Sequence, residues 1–390
     1  MQATQGWIGD IVNPISIIPE YQAVPLPGPH WLLKTLLIVG FYLHAIPMNV
    51  ALMGGLVSAL FLLIGRKKNH LFSMRLGNSL AFSLPFFVSV AITMGVVPLL
   101  FLQLVYGPLF YTSSVLMAVP WLSVIFLLLA AYGAYYSFTY RRHILMARGP
   151  GILLLAALLF MTIAFFFTNN MTLMLVPEQW AAIYQASPYG TSLNLQAPQL
   201  VPRYLHFVVA AVAVTSLVIG CFGLYWHRRE QKYGQWLIRT AAGLFLGTTL
   251  LQFPIGIWFM LSLPYPIMMN FLGNDPAGTA IFMASMTGDI VALAAMFMAS
   301  KSGSPRPFRF GMISALIVVL LMVIVRHLVR VYFTEPVFRP EAFPASPQWL
   351  LIILFVIGAV LLILYTVWLI RLTWRAFHPS DISGIRAESA

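Results

Sequence analysis

The chain has 390 residues, of which 60% are hydrophobic and only 8% are charged, and its mean hydropathy is +0.88. No soluble domain of this length can bury so much apolar surface, because the interior grows too slowly with chain length. The formal net charge of +12 would suit a nucleic-acid-binding protein, but the basic residues follow a membrane pattern instead. We therefore expect an all-α, polytopic membrane helix bundle that binds no nucleic acid.

Nine apolar segments are long enough to cross about 30 Å of hydrocarbon as helices. The segments cover roughly 30–65, 77–106, 112–139, 151–176, 200–226, 236–262, 277–300, 309–333 and 348–371. The first 25 residues lack a basic stretch followed by an apolar core, so we expect no cleavable signal peptide. The chain should thus have about nine transmembrane helices.

Lysine and arginine are concentrated in every second connection and in the C-terminal tail, which together hold 17 of the 22. These residues are Arg66, Lys67, Lys68, Arg75, Arg141, Arg142, Arg148, Arg228, Arg229, Lys232, Arg239, Lys301, Arg306, Arg309, Arg371, Arg375 and Arg386. The positive-inside rule places this side in the cytoplasm. We expect a multi-pass protein of the cell inner (cytoplasmic) membrane, with its N-terminus outside and its C-terminus in the cytoplasm.

Three histidines in different apolar segments, His44, His206 and His327, lie at similar depth near the outer side. A polar side chain in hydrocarbon is costly without a partner, so each is a functional candidate, although a lone intramembrane histidine is more often a packing residue. No carboxylate accompanies them, whereas a zinc or di-iron site needs several donors. A haem needs only one or two axial donors and apolar walls. We therefore expect these histidines to bind haem iron.

Three arginines lie close to two of these histidines in the sequence. Arg326 and Arg330 flank His327, and Arg203 lies three residues before His206. A guanidinium pairs a carboxylate in fork geometry, which suits haem propionates. The alternative is that the arginines extend to lipid headgroups. The single cysteine, Cys221, excludes an internal disulfide, a thiolate iron–sulfur cluster and a covalent haem attachment motif.

Three further polar residues within the segments are candidates for proton or quinone contacts. Asp289 is the sole acid inside a segment, and it would relay protons, pair with a basic group or form a hydrogen bond within the bundle. Gln103 and Gln252 would contact a quinone or form interhelical hydrogen bonds. The sequence also contains an approximate internal duplication. In each copy a histidine and a basic loop precede a helix that holds a glycine and a glutamine. Its members are His44, Gly95 and Gln103 in one copy and His206, Gly256 and Gln252 in the other.

Four segments resemble subunit I of the cytochrome bd-type quinol oxidases, in the order that the family has them. The family's haem-ligand helix is similar to LVPRYLHFVVAA, from Leu200, and its first helix is similar to HWLLKTLLIVGFYLHAIPMNVALMGG, from His30. Its second-helix motif is similar to GVVPLLFLQLVYGPLFYTSS, from Gly95, and the end of its fourth helix to FTNNMTLMLVPEQW, from Phe167. The resemblance covers roughly residues 30–260.

The resemblance implies one to three haem b groups, with His206 and His44 at family histidine positions. His327 falls near a position where the family has a glutamate ligand. Gln103 replaces the glutamate of the second-helix motif, no acid follows in the third helix, and the family's long quinol loop shrinks to about a dozen residues. Oxygen reduction needs protons that carboxylates normally deliver. We therefore expect a subunit of a quinol:acceptor oxidoreductase complex rather than a terminal oxidase.

The leading hypothesis is a membrane haem b electron-transfer subunit. It would move electrons between the quinone pool and an outer-face acceptor, such as a c-type cytochrome or another redox subunit, within membrane lipid. The predicted parts are an outer-face segment 1–29, a six-helix haem-binding bundle 30–262, three further transmembrane helices 263–376 and a cytoplasmic tail 377–390. The alternatives are a haem-free quinol-binding anchor of the polysulfide-reductase type and a solute transporter, which Asp289 and the duplication would permit.

Overall fold

The computed structural model describes residues 25–145 and 148–376. The predicted tail 377–390 and most of the predicted segment 1–29 therefore lie outside the described residues. The described part contains eleven α-helices and no strand beyond one isolated bridge between Leu26 and Ala345. The helices are α1 His30–Lys67, α2 Leu71–Leu116, α3 Ala118–Leu145, α4 Gly149–Leu173, α5 Trp180–Ala186, α6 Leu200–His227, α7 Gln231–Leu261, α8 Tyr265–Met269, α9 Pro276–Ser302, α10 Pro305–Thr334 and α11 Trp349–Ala376.

Nine of these helices, all except the short α5 and α8, are long and apolar enough to cross a membrane. The predicted all-α membrane helix bundle is confirmed. Helix α2 has 46 residues, which at a rise of about 1.5 Å per residue gives about 69 Å, more than twice the hydrocarbon thickness. It is interrupted at Tyr106, where φ is −125° and ψ is 28°. Pro108 follows two residues later, and a proline ring disrupts the preceding helical turn.

The spanning helices pack as two groups of four. Helices α1–α4 form the first group, and α6, α7, α9 and α10 form the second, with α1 packed against both α6 and α10. Glycine lets the helices of each hairpin approach closely: Gly77 faces Ser58 and Leu62 of α1, and Gly223 faces Ile238 of α7. The division of the chain at residue 262 stays a prediction.

The basic connections lie together at one end of the bundle, which we call the basic end; the opposite end is the outer end. Arg75, near the start of α2, forms an ion pair with Glu230 in the α6–α7 turn. Its guanidinium also lies 4.1 Å from the ring centroid of Trp226. Arg239 of α7 donates to the Ser302 carbonyl at 3.3 Å. The compartment that the basic end faces stays a prediction from the positive-inside rule.

Helix α11 joins the bundle at the outer end. The segment that precedes it pairs with residues before α1, where the Leu26 N–H donates to the Pro344 carbonyl at 2.8 Å. Phe355 of α11 packs edge-on against Phe101 of α2, with ring centroids 5.2 Å apart. Most apolar side chains along α11 are exposed, as expected of a helix that faces lipid.

Candidate functional site

His44 lies in the outer half of α1 and packs against α2. Its Nδ1 is 2.9 Å from the Ala91 carbonyl oxygen. A carbonyl only accepts hydrogen bonds, so Nδ1 must carry the proton and Nε2 keeps its lone pair. A Cβ on Gly95 would lie 2.9 Å from the His44 Cε1 atom, so only glycine leaves room for the ring in this position. Metal-bound histidines commonly donate their second ring N–H to a backbone carbonyl in this way.

His206 lies in the outer half of α6 and packs against α7 in a comparable arrangement. A Cβ on Gly256 would lie 3.8 Å from the His206 Cε1 atom, which is ordinary contact. The Gln252 amide donates to the His206 backbone carbonyl at 3.0 Å. The His206 Nδ1 atom is buried and has no hydrogen-bond partner among the described residues. The ring is therefore seated by packing, and its Nδ1 atom has an unused hydrogen-bonding capacity.

The structure makes the approximate sequence duplication specific. Each histidine ring meets a glycine of the following helix, 51 residues later for His44 and 50 residues later for His206. The residue four positions before each glycine, Ala91 or Gln252, supplies a hydrogen bond to the same histidine. The glutamines paired in the sequence analysis are not equivalent in this register, because Gln252 precedes Gly256 whereas Gln103 follows Gly95.

His327 lies in the outer half of α10 and is 8% exposed. Its ring centroid is 6.5 Å from that of Tyr106, at the interruption of α2. The His327 Nδ1 atom and the Tyr106 hydroxyl are both buried without hydrogen-bond partners in the described part of the chain. Two unsatisfied polar groups in an apolar wall are costly unless a bound group completes them.

Arg203, Arg326 and Arg330 lie within electrostatic range of one another. None forms an ion pair within the ranges 25–145 and 148–376, where the ion pairs involve Lys34, Arg75 and Arg339 instead. Their contacts are aromatic faces, which lie 5.3 Å from Arg203, 4.0 Å from Arg326 and 5.3 Å from Arg330; the rings belong to Phe259, Phe41 and Tyr106. Aromatic rings provide only about 0.5–2 kcal/mol per cation, less than desolvation costs. The cluster therefore has unmatched positive charge.

This arginine cluster links the elements that carry the histidines. Arg326 lies within electrostatic range of His44 and also 6.0 Å from the ring of Phe207, the neighbour of His206. Arg330 lies within electrostatic range of His327. The described residues contain no group of three or more His, Cys, Asp or Glu side chains placed to hold one metal ion. The histidines thus lie near the arginines as single donors and do not form a shared metal shell within the described residues.

The remaining sequence candidates are less closely tied to this region. Gln103 is half-buried on α2 and makes no hydrogen bond with the described residues. Asp289 is half-buried midway along α9 and has no ion-pair partner among them. Its neighbour Gly288 accepts a hydrogen bond from the Ser314 hydroxyl of α10 at 3.0 Å. Their predicted roles in proton or quinone contact stay predictions.

Two features of the site escaped the sequence reasoning. Tyr106 carried no signal, since it lies in an apolar run of α2 and its burial depends on α10. The Lys34–Glu341 ion pair, which ties α1 to the segment before α11, joins residues far apart in sequence. Partial burial alone would raise the pKa of the Glu341 carboxyl, but its hydrogen bond with the Lys34 ammonium makes the net shift of the pKa downward. The pair closes the outer end beside His327.

Comparison with known proteins gives one kind of match. No family model matches the chain, and no curated protein matches its sequence. Among solved structures, the chain is similar to a chain of the bd oxidase from Geobacillus thermodenitrificans, with a TM-score of 0.72 and 11% sequence identity. The similarity covers 91% of this chain and 100% of that one. The chain therefore has a bd oxidase fold. At this identity the likeness establishes the fold alone, and the more specific resemblance to subunit I stays a prediction.

The residues present fit a haem better than a bare metal ion. Haem requires one or two axial donors, apolar walls and counter-charges for its two propionates. His44, His206 and His327 are single donors from separate helices, and the arginines supply unmatched positive charge. A bare metal ion would need several donors converging on one point, which the described residues do not provide.

Proposed function

We propose that the chain is a haem b-carrying electron-transfer subunit of a membrane respiratory complex. It exchanges electrons between the quinone pool and an acceptor at the outer end. The bd oxidase fold supports a respiratory context, because the structural similarity covers 91% of this chain. Haem b, when bound, supplies a one-electron carrier at its iron.

The observation that carries the proposal is the arginine cluster. Arg203, Arg326 and Arg330 bring three positive charges into the bundle without a carboxylate from the described residues. Arg330 is only 6% exposed. Burying a charge without a partner costs several kcal/mol, so such a cluster is expected only where an anion binds. The two propionates of a haem satisfy this requirement beside histidine donors, and the arginines would hold them.

The histidines have separate tasks in this proposal. His44 presents Nε2 as a donor because Ala91 fixes its proton on Nδ1. His206 is half-buried and His327 is buried, and each has a buried Nδ1 atom without a partner among the described residues, which a ligand would complete. The neutral imidazole is the form that binds iron.

The distribution of the acidic residues favours electron transfer without oxygen reduction. Among the acidic residues that the structure describes, Asp289 alone lies within a spanning helix. In the resemblance to subunit I of the bd-type oxidases, Gln103 of α2 replaces the glutamate of the second-helix motif. A carboxylate would be needed there for proton delivery. The acceptor, a c-type cytochrome or another redox subunit, and the use of quinone on this subunit stay predictions.

The test is the reduction of purified, membrane-reconstituted protein by a short-chain quinol, followed at the absorbance band of reduced haem b. We expect the wild-type band to appear on quinol addition. His206→Ala should lower the band by at least half, because an axial donor is lost. The matched control is His227→Ala, which removes a histidine from the basic end of the same helix and should leave the band unchanged.

Two outcomes would count against the proposal. A protein that reconstitutes fully but shows no haem band would exclude the haem role, and quinol-dependent electron transfer without haem would favour a quinol anchor of the polysulfide-reductase type. A solute transporter would be indicated by uptake into liposomes that Asp289→Asn abolishes while the haem band is absent.

A further inference from the structure

Two adjacent asparagines near the outer end of α4 are fully buried. Asn169 and Asn170 are both 0% exposed. A buried amide is costly unless its polar atoms find partners, so two in succession indicate that they hold neighbouring segments. Helix α4 itself contains no histidine or arginine. Any role of these asparagines in the candidate site must therefore act through the helices that they contact.

The two amides bind different neighbours, because consecutive side chains point about 100° apart around a helix. Asn170 faces α2: its Oδ1 accepts from the Ser113 hydroxyl at 3.3 Å, and its Nδ2 donates to the Ser114 hydroxyl at 3.1 Å. Asn169 faces the segment before α6, where its Oδ1 accepts the backbone N–H of Asn194 at 2.9 Å. Helix α4 is thus joined to α2 by one amide and to the approach of α6 by the other.

The segment from Asn194 into α6 is a continuous series of turns. The Ala197 N–H donates to the Asn194 carbonyl at 3.3 Å, and the Leu200 N–H donates to the Ala197 carbonyl at 3.0 Å. Helix α6 begins at Leu200, and Arg203 and His206 lie in its first two turns. The position of Asn194 therefore bears directly on where this arginine and this histidine lie.

A second attachment between α4 and α6 lies deeper in the bundle. The Tyr204 hydroxyl donates to the Met161 carbonyl of α4 at 3.1 Å, and the Tyr204 ring packs edge-on against Phe165 with centroids 5.5 Å apart. Met161 precedes Asn169 by eight residues, which corresponds to about 12 Å along α4. One attachment alone would let α6 slide or turn about it, whereas two attachments at different depths fix both its height and its rotation.

We infer that Asn169 and Tyr204 are positioning residues of the haem site. Together they hold α6 against α4, so that the Arg203 guanidinium and the His206 ring are presented at a fixed height and angle. The inference rests on the proposed haem function. Neither positioning residue touches the haem, and both act through α6.

The experiment compares Asn169→Leu, Asn169→Asp and Tyr204→Phe in the full-length, membrane-reconstituted protein. Leucine removes the acceptor of the Asn194 N–H, whereas aspartate keeps it and loses only an Nδ2 that has no partner among the described residues. Asn169→Leu and Tyr204→Phe should change the electron paramagnetic resonance signal of the oxidised haem, which depends on the orientation of the axial imidazole, and Asn169→Asp should keep it. Displacement of the Arg203 charge should also lower the reduced-to-oxidised ratio of one haem at a fixed potential about two- to threefold.

Hydrogen exchange of peptides that contain Asn194 tests the attachment without reference to haem. Asn169→Leu should exchange the Asn194 amide about tenfold faster than the wild type, because a hydrogen bond is lost, and Asn169→Asp should not. The matched controls are Asn170→Leu, which loses bonds to α2, and Thr168→Val, whose hydroxyl bonds only within α4, to the Ala164 carbonyl. Both should leave the exchange at Asn194 unchanged, and Thr168→Val should also keep the haem signal.

Three results would count against these conclusions in different ways. Equal exchange at Asn194 in the wild type and Asn169→Leu would overturn the attachment. Faster exchange in Asn169→Leu with a wild-type haem signal in both Asn169→Leu and Tyr204→Phe would overturn the positioning role while leaving the proposed function intact. A wild type that shows the expected exchange but contains no haem would overturn the proposed function, and the positioning of a haem ligand with it.

Discussion

The hairpins α1–α2 and α6–α7 place a histidine against a glycine of the next helix in the same way but hold it differently. In the first hairpin the ring itself is held, because Ala91 accepts the His44 Nδ1–H and Gly95 leaves no spare room. In the second hairpin Gln252 holds the backbone of His206, and the ring lies more loosely over Gly256. The same spacing of histidine and glycine thus gives a His44 ring with a fixed tautomer and a His206 ring whose Nδ1 atom has no partner among the described residues.

The difference shows that the position of a histidine and its readiness to bind are set by separate interactions. Position depends on a glycine at the right separation, which both hairpins share. The readiness of the histidine to bind a metal depends on a hydrogen bond to its second ring nitrogen. This bond orients the imidazole ring and raises the basicity of the nitrogen that binds. In the second hairpin the His206 Nδ1 atom has no such partner among the described residues.

The largest expected effect is the loss of haem when a histidine is removed, and its size distinguishes one shared haem from two separate haems. If each hairpin supplies the donor for its own haem, His44→Ala and His206→Ala should each remove part of the haem, and the double variant should remove the sum of the two losses. The measurement is haem extracted per mole of protein from the four matched preparations. Complete loss in either single variant would mean instead that the two histidines bind one haem together.

The second-largest expected effect is a difference in stability between alanine variants of the two glycines. The gain in helix propensity is the same for Gly95→Ala and Gly256→Ala, so it cancels in the comparison. The new methyl group meets the His44 ring in the first variant and makes ordinary contact in the second. We expect Gly95→Ala to be less stable than Gly256→Ala by about 1–3 kcal/mol. Thermal unfolding of both in the same detergent measures the difference, and equal midpoints would show that the His44 ring is not tightly seated.

The contact that joins the two hairpins at the basic end should contribute less. Arg75 of α2 pairs with Glu230 and lies against the rings of Trp226 and Tyr233. We expect Arg75→Gln to lower stability by about 1 kcal/mol, since the pair is partly exposed and the aromatic contacts add to it. Arg75→Lys keeps the charge but loses the planar stacking, so it should recover only part of the loss. Full recovery by lysine would assign the whole effect to charge.

The sequence predicted the spans well and the contacts poorly, for a physical reason. Apolar runs placed nine helices correctly, but α2 begins at Leu71 and not near residue 77, because Ser73 and Arg75 interrupt the apolar run in its first turns. The histidines and arginines could be named because polar groups stand out in apolar segments. The Ala91 carbonyl could not, since every residue has one, and Tyr106 became notable only when α10 was packed beside it.

The smallest expected effect lies after the second hairpin and has no counterpart after the first. Asp275 is the N-cap residue of α9, and its carboxylate accepts a hydrogen bond from the Ala277 N–H at 3.0 Å. The same carboxylate accepts a hydrogen bond from the Tyr332 hydroxyl of α10. The hydrogen bond from Tyr332, with those from the backbone, lowers the pKa of Asp275 below the usual value of 3.8. This contribution should be present above pH 3.8 and lost as the pH falls through the lowered pKa. Wild type should therefore exceed Asp275→Ala in unfolding temperature at pH 6, and the gap should narrow towards pH 3. A gap independent of pH would show that the carboxylate charge is irrelevant.

The central claim is that the histidines and the arginine cluster hold haem b. The most direct measurement is the reduced-minus-oxidised spectrum of the purified chain, with haem quantified by extraction. The proposal predicts a b-type band and one to three haems per chain. The haem content should fall when Arg326→Gln removes a half-buried counter-charge and stay unchanged when Arg306→Gln removes an exposed one. Folded protein with no extractable haem would contradict it.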